Sequence, residues 1–335
     1  MKTFFFRISL YIALIGTLLL LFILIIYLRP ELVDAYYYRF TTDKANSMIL
    51  GGSRAAQGIK PEIINKLVCD EDNKIINHSF ALGASSYGPN YYREITKKLK
   101  KESTNGLFII SVVPWSLGTD SSNVSDDSTR FFEVQQKLFV GNLKSSSTNP
   151  NFDYLINHWG NKFELFTRIF KTVTRLGGIS VLHPDGWLEI TTAMDSASNN
   201  ERIRRSTNEY ANKFLNLSDT RFMYLEKMIR YLDDYGQIVF IREPVSSQMA
   251  VIEKRVFPDF DLRVHQLAAK YNIPYFNFID ESGKFLTIDT HHLYKAEAER
   301  FTYMICDSIL NYYKNESANL RLANSGSKPA NNLQD

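Results

Sequence analysis

The chain has 335 residues, 44% hydrophobic and 13% aromatic, enough for one large domain or two small ones with a sizeable core, so disorder of the whole is excluded. Lys and Arg number 39 against 36 Asp and Glu, and a net charge of +3 lacks the electrostatic footprint that nucleic-acid binding requires. The two cysteines, Cys69 and Cys306, are far apart, which rules out a zinc ribbon or a redox CxxC and leaves a free pair or one bridge.

The N-terminus carries the first strong signal. Ile8 to Leu28 has no charged residue and is dominated by Leu and Ile. As a helix it would span about 30 Å, the thickness of a bilayer's hydrocarbon core. A cleaved signal peptide has a shorter apolar region ending at small residues, whereas this run ends Tyr-Leu-Arg-Pro. A buried soluble helix is the other alternative, but an all-round apolar helix with Tyr27 and Arg29 at its exit fits a lipid anchor better. Residues 1–30 are therefore expected to anchor the chain, contacting the bilayer through residues 8–28, with 31–45 as a juxtamembrane linker. Lys and Arg flank both ends, so the positive-inside rule does not decide the orientation. The short N-terminal segment holds no domain, which favours an extracytoplasmic remainder.

After the anchor, short apolar runs alternate with helical patterns, as in a parallel sheet with helices on both faces. Strands are expected at Asn46–Leu50, Lys74–Phe80, Gly106–Val113, Gln237–Glu243 and Pro274–Phe278. Helices are expected at Tyr91–Lys101, Ser218–Tyr235, Asp259–Tyr271 and Lys295–Tyr313, the second capped by Ser218 or Asp219. The roughly 100 residues from Ser116 to Asn216 break this rhythm and read as an insertion, too long for an ordinary connection. Within it, Arg130–Phe139 and Trp159–Leu176 have helical patterns, and the segment should fold as a cap over one end of the sheet. The α/β domain is placed at 46–314, and the Asn-, Ser- and Ala-rich tail 315–335 is expected to be disordered.

Ligands of open parallel sheets bind beyond the carboxyl ends of the strands. The first strand runs directly into Gly51-Gly52-Ser53-Arg54, a glycine-flanked turn that would expose the serine hydroxyl as a nucleophile and offer backbone N–H groups to an oxyanion. Alone, such a turn is more often only a turn. Thr287-Ile288-Asp289-Thr290-His291-His292-Leu293 follows the last strand. Asp289 and His292, three apart, fall on one side of a tight loop or helical turn, so the carboxylate can orient the imidazole, while His291 points elsewhere. The competing reading makes Asp289 a helix cap and the histidines packing. A metal is not expected, because neither HExxH nor a cysteine cluster accompanies the adjacent histidines. No cofactor is expected.

The two motifs together supply nucleophile, base and orienting acid. Gly51-Gly52-Ser53 after the first strand and Asp289-x-x-His292-Leu293 before the last helix resemble the first and last blocks of the SGNH (GDSL-like) hydrolase superfamily. Leu50-Gly-Gly-Ser53-Arg-Ala-Ala-Gln-Gly58-Ile, Val112-Val-Pro114-Trp115-Ser and Asp185-Gly-Trp187 resemble a membrane-anchored bacterial branch of it. The resemblance covers about Asn46 to Tyr313. It implies a three-layer, flavodoxin-like fold with a five-stranded parallel sheet, a Ser53 nucleophile relayed through His292 and Asp289, and an oxyanion hole from Ser53 and Gly83. The third block of the family normally supplies an Asn. Here Val113-Pro114-Trp115-Ser116 stands in its place, so Trp115 or Ser116 would have to replace one oxyanion donor, whose loss commonly costs about 3 kcal/mol of transition-state stabilisation.

Arg54 and Arg242, the latter followed by Glu243, could hold an acidic substrate, although an Arg242–carboxylate structural pair is at least as natural. His78 and His183 are isolated and read as hydrogen-bonded scaffold. The expected function is a membrane-anchored serine esterase or O-acyltransferase acting on an acyl ester of a cell-envelope glycan or lipid. The rival is a non-catalytic binding or assembly subunit, holding such a glycan or a membrane acyltransferase partner.

Overall fold

The structure, a computed structural model, describes residues 1–82, 86–120, 126–160, 163–174 and 179–325. Helix α1 (Lys2–Leu28) is long and apolar enough to cross a membrane and precedes an α/β domain. The first half of that domain runs β1 (Ser47–Leu50), α2 (Ser53–Gly58), α3 (Pro61–Leu67), β2 (Ile75–Asn77), α4 (Pro89–Lys98) and β3 (Gly106–Ser111). The insertion adds β4 (Gly118–Asp120), α5 (Phe132–Gln135), α6 (Phe152–Asn157), α7 (Glu164–Thr174), β5 (Ile179–Leu182), β6 (Leu188–Thr191), α8 (Ser196–Lys213) and β7 (Phe214–Leu217). The chain then returns through α9 (Asp219–Leu232), β8 (Gly236–Arg242), α10 (Ser247–Val256), α11 (Phe260–Lys270), β9 (Tyr275–Asn277) and α12 (Lys295–Ser325).

Five strands form one parallel sheet in the order β2-β1-β3-β8-β9. Strand order reverses beside β1, so the carboxyl ends of β1 and β3 border the switch point where α/β sheets open a crevice. The inner strands β1, β3 and most of β8 are buried on both faces, the edge strand β9 only partly, and alternate residues divide between two cores. Met48, Leu50, Phe108, Ile110, Ile238 and Phe240 pack with the residues of α4, α9 and α11. Ile49, Ile75, Leu107, Ile109, Val239 and Ile241 pack with α3 and α12. Each of these fully buried aliphatic or aromatic side chains contributes roughly 1.5–3 kcal/mol over leaving it exposed.

The expected strands are all present, trimmed at their ends, and Ser218 caps α9 by accepting the Arg221 N–H at 2.9 Å. Three expectations need correction. The stretch 31–45 is no loose linker: Val33, Tyr37 and Phe40 are buried in the core, and buried Lys98 donates to the carbonyls of Arg39 (2.9 Å), Thr42 (2.6 Å) and Ser146 (2.9 Å). The tail beginning at 315 is helical through Ser325, because α12 simply continues; 326–335 lies outside the described residues. In the insertion, the expected helix Arg130–Phe139 shrinks to Phe132–Gln135, and the helix expected over Trp159–Leu176 is described only over Glu164–Thr174. Two small antiparallel pairs, β4 with β7 and β5 with β6, were not foreseen. Cys69 and Cys306 are free, packed in the same apolar cluster.

Candidate functional site

The turn after β1 is shaped by two glycines. Gly51 has φ +154, and a Cβ there would lie 2.7 Å from Cβ of Ser111 at the end of β3. A Cβ on Gly52 would stand 2.9 Å from the Ser86 hydroxyl and 3.4 Å from that of Ser116. Only glycine lets the backbone lie this close to its neighbours. Ser53 is thereby the first residue of α2, a helix whose N-cap, Gly52, makes no side-chain cap. Its first backbone N–H groups have no intrahelical acceptor and remain for a ligand.

The second half of the site is the turn between β9 and α12. Ile288 N–H donates to His292 carbonyl at 2.9 Å, and the Thr287 hydroxyl donates to the Asp289 carbonyl at 2.9 Å, closing a tight loop. Inside it Asp289 Oδ1 accepts the backbone N–H groups of both His291 and His292, each at 2.9 Å. Asp289 is therefore a loop-forming residue rather than the cap of α12, which begins only at Lys295. Its other oxygen, Oδ2, lies 2.7 Å from His292 Nδ1, and His292 Nε2 lies 2.7 Å from Ser53 Oγ. An ionised carboxylate only accepts, so Nδ1–H donates to Asp289 and the Nε2 lone pair faces the Ser53 hydroxyl. Burial opposes the Asp289 charge, but the adjoining His292 imidazole and the backbone N–H of His291 outweigh it and hold the carboxyl well below the usual range. Ser53, Asp289 and His292 are all only part-buried, so the relay is reachable from solvent.

His291 takes no place in that line. Its Nδ1 is 3.0 Å from the Ser206 hydroxyl of α8, which is also 2.6 Å from Thr290 Oγ1. The ring packs at 4.4 Å on Tyr210 and at 4.0 Å on His292. Burial, with the Arg54 charge behind it, pushes its pKa well below the ordinary imidazole value, so the ring is neutral. Asp289, His291 and His292 do present potential metal-ligating atoms within 4.8 Å of one another. His292 Nδ1 and Asp289 Oδ2 are already spent on each other, however, and among the described residues no fourth Asp, Glu, His or Cys joins them.

The expected substrate-binding groups lie elsewhere than on an open surface. Arg54 and Arg242, 4% and 3% exposed, are buried under the nucleophile turn. Both pair with Glu253 of α10: Arg54 through Oε1, and Arg242 through Oε2 at 2.9 Å, with Asp261 as its second partner. The Trp115 indole N–H donates to the same Glu253 Oε1 at 2.8 Å. An indole already held by a carboxylate is not aimed at an oxyanion, which corrects the expectation for Trp115. Glu243 is fully buried beside them, and burial raises its pKa. Ser116, whose hydroxyl approaches Gly52, stays close to the nucleophile turn. Gly83 lies outside the described residues. His78 and His183 are scaffold, bonded to Glu94 (3.2 Å) and Glu189 (3.0 Å).

Sequence reasoning missed Glu253, Ser206 and Tyr210. Helix α10 had not been recognised, although Ser246 caps it by accepting the Met249 N–H at 3.2 Å. The insertion reaches the site from two sides. Arg202 and Ser206 of α8 bond Ile288 carbonyl (2.6 Å) and Thr290, while Leu182 and Leu188 of the β5–β6 hairpin pack on Ala56 of α2. The Trp187 indole donates to Gln57 carbonyl at 2.8 Å, so this tryptophan is core, as is buried Trp159. No protein-family model matches this chain, and no curated protein matches it.

Proposed function

We propose that the chain is an SGNH-type serine esterase or O-acyltransferase, tethered by α1 to a membrane, with its domain outside the cytoplasm. The observation that supports this best is the unbroken hydrogen-bonded line Ser53–His292–Asp289, in which Ser53 and His292 come from two turns 239 residues apart in sequence. In the proposed reaction the Ser53 O–H proton passes to His292 Nε2 as Oγ bonds to the ester carbonyl carbon. Asp289 steadies the imidazolium, and the Ser53 backbone N–H faces the oxyanion. His292 then returns the proton to the leaving alcohol oxygen as the C–O bond breaks. Water or an acceptor hydroxyl takes the acyl group from Ser53 by the same relay. Tethering at a membrane makes an ester of a cell-envelope glycan or lipid the substrate class we favour.

One observation favours the rival reading, a non-catalytic subunit that binds an envelope glycan or a membrane acyltransferase: Trp115 is committed to Glu253, and the third strand ends without an Asn. The two are separated by labelling the full-length protein in detergent micelles with a fluorophosphonate probe. The enzyme reading expects one adduct on wild type, carried by Ser53 and missing from Ser53→Ala and His292→Ala. No adduct, together with no ester hydrolysis and no acyl transfer to a glycan acceptor, would leave the binding subunit.

A further inference from the structure

The described surface carries one concentrated apolar face, on the insertion beside the exit of α1. Phe152 and Ile156 are one turn apart on α6, while Phe163, Phe166 and Phe170 follow at three- and four-residue spacing into and along α7, and all five are between 50% and 79% exposed. Large exposed apolar side chains scattered singly need no explanation, but five at helical spacing on two consecutive helices do. The opposite side of α7 is ordinary core: Leu165 is fully buried and Ile169 packs beneath it.

The position of this face relative to α1 decides what covers it. The last two turns of α1 dock on the domain through Phe22 and Ile26. The Phe22 ring stacks on Trp159, between α6 and α7, with centroids 6.2 Å apart. The loop before α6 holds the end of α1, with Asn149 Nδ2 donating to Tyr27 carbonyl at 3.1 Å. Phe22 precedes the end of α1 by six residues, about 9 Å along a helix axis. Because Phe22 and Ile26 already dock on the domain, the part of α1 left for lipid ends near Phe22, which puts Trp159 and the helices on either side of it close to the headgroup boundary, where aromatic residues gather.

We propose that the Phe152, Ile156, Phe166 and Phe170 face of α6 and α7 rests in the lipid interface of the membrane that α1 spans, a second contact that fixes the tilt of the domain on the bilayer. This rests on the reading of α1 as an anchor. The test uses full-length protein in phosphatidylcholine vesicles. Three variants each add a tryptophan to the three buried native ones: Phe166→Trp on the face, Tyr11→Trp in α1, and Tyr303→Trp on α12, across the sheet. The Phe166→Trp increment should lose about half its emission to lipids brominated near the ester end of the chains and less to those brominated near the methyl end, since interfacial helices bury their apolar face about 5–10 Å. Tyr11→Trp should be quenched and Tyr303→Trp should not. Quenching at Tyr11→Trp without quenching at Phe166→Trp overturns the proposal and leaves the anchor standing, and protection of Phe166→Trp from aqueous acrylamide as well would assign the face to a second copy of the chain. Equal quenching at Tyr303→Trp also overturns it. An unquenched Tyr11→Trp removes the anchor reading and the proposal together.

Discussion

Substituting Asp289 by Asn is the sharpest test of the relay, because it changes one atom's hydrogen-bonding sense and almost nothing else. Asn Oδ1 can still accept the His291 and His292 N–H groups that Asp289 accepts at 2.9 Å, so the loop should hold its shape. The amide nitrogen, however, would replace the carboxylate oxygen 2.7 Å from His292 Nδ1. Donor would meet donor unless the imidazole moved its proton to Nε2, and Nε2 would then present N–H, not a lone pair, to Ser53. A base in the wrong tautomer with its orienting carboxylate lost should lower kcat by about 10⁴, equivalent to about 5.5 kcal/mol, with KM little changed. Asp289→Ala should be as inactive but less stable, since it leaves two loop N–H groups unpaired at roughly 1–3 kcal/mol each. The assay is release of p-nitrophenol from a short acyl ester, with urea unfolding of both variants alongside. Asp289→Asn retaining within about tenfold of the wild-type kcat would refute the argument, because a tautomer-locked relay loses far more.

Further outcomes follow from the groups around the relay. Glu253→Gln should destabilise the domain by about 3–5 kcal/mol in urea unfolding, since it takes the paired carboxylate from buried Arg54 and leaves buried Arg242 with Asp261 alone. His291→Ala should cost roughly 2–4 kcal/mol of stability by opening a cavity against Tyr210 and His292, yet spare the chemistry more than His292→Ala does, which parallel kinetics and unfolding would show. Acid should weaken the fold through His78, whose pKa burial pushes down to about 4 against the pull of Glu94. The unfolded chain then takes up a proton near pH 6.5 that the folded chain refuses until about pH 4. Stability therefore falls with pH across that window, by on the order of 3 kcal/mol from this group. Glu94, held low by His78 and by Gly141 N–H despite its burial, loses its contribution on acidification too. Thermal unfolding of His78→Gln across the same range should give a shallower slope, and an unchanged slope would remove His78 from the account.

The parts of this molecule legible in its sequence are those with short-range patterns. The five core strands are continuous apolar runs because both faces of the sheet are covered, and α9 announced itself by a serine at its cap. Ser53 could be singled out because it lies three residues past the end of β1, and Asp289 and His292 because they share one short turn in the connection that leaves the end of β9; a parallel sheet brings strand ends to one edge whatever the connections between them. Residues 31–45 misled for a physical reason. Aromatic-rich composition says a segment can be solvated, but whether it is depends on what it meets, and Tyr37 and Phe40 both meet the ring of Tyr154, more than 100 residues on.

The groups that steady the relay were hidden for a deeper reason. Glu253 sits in a helix whose sequence, SQMAVIEKRV, gives no cue that its glutamate turns inward rather than to water; only the two arginines and the Trp115 indole that converge on it decide the matter. A buried carboxylate without those partners would be too costly to keep, and the arginines without it would be equally so. Arg54 follows Ser53 directly and Arg242 ends β8, so the same ion cluster joins the Ser53 turn to β8 and to α10. Ser206 and Arg202 do the corresponding work for the Asp289–His292 loop from within the insertion. The relay distances of 2.7 Å are thus set by contacts from segments that carry none of the relay residues, and long-range mutual dependence of this kind leaves no trace in residue spacing.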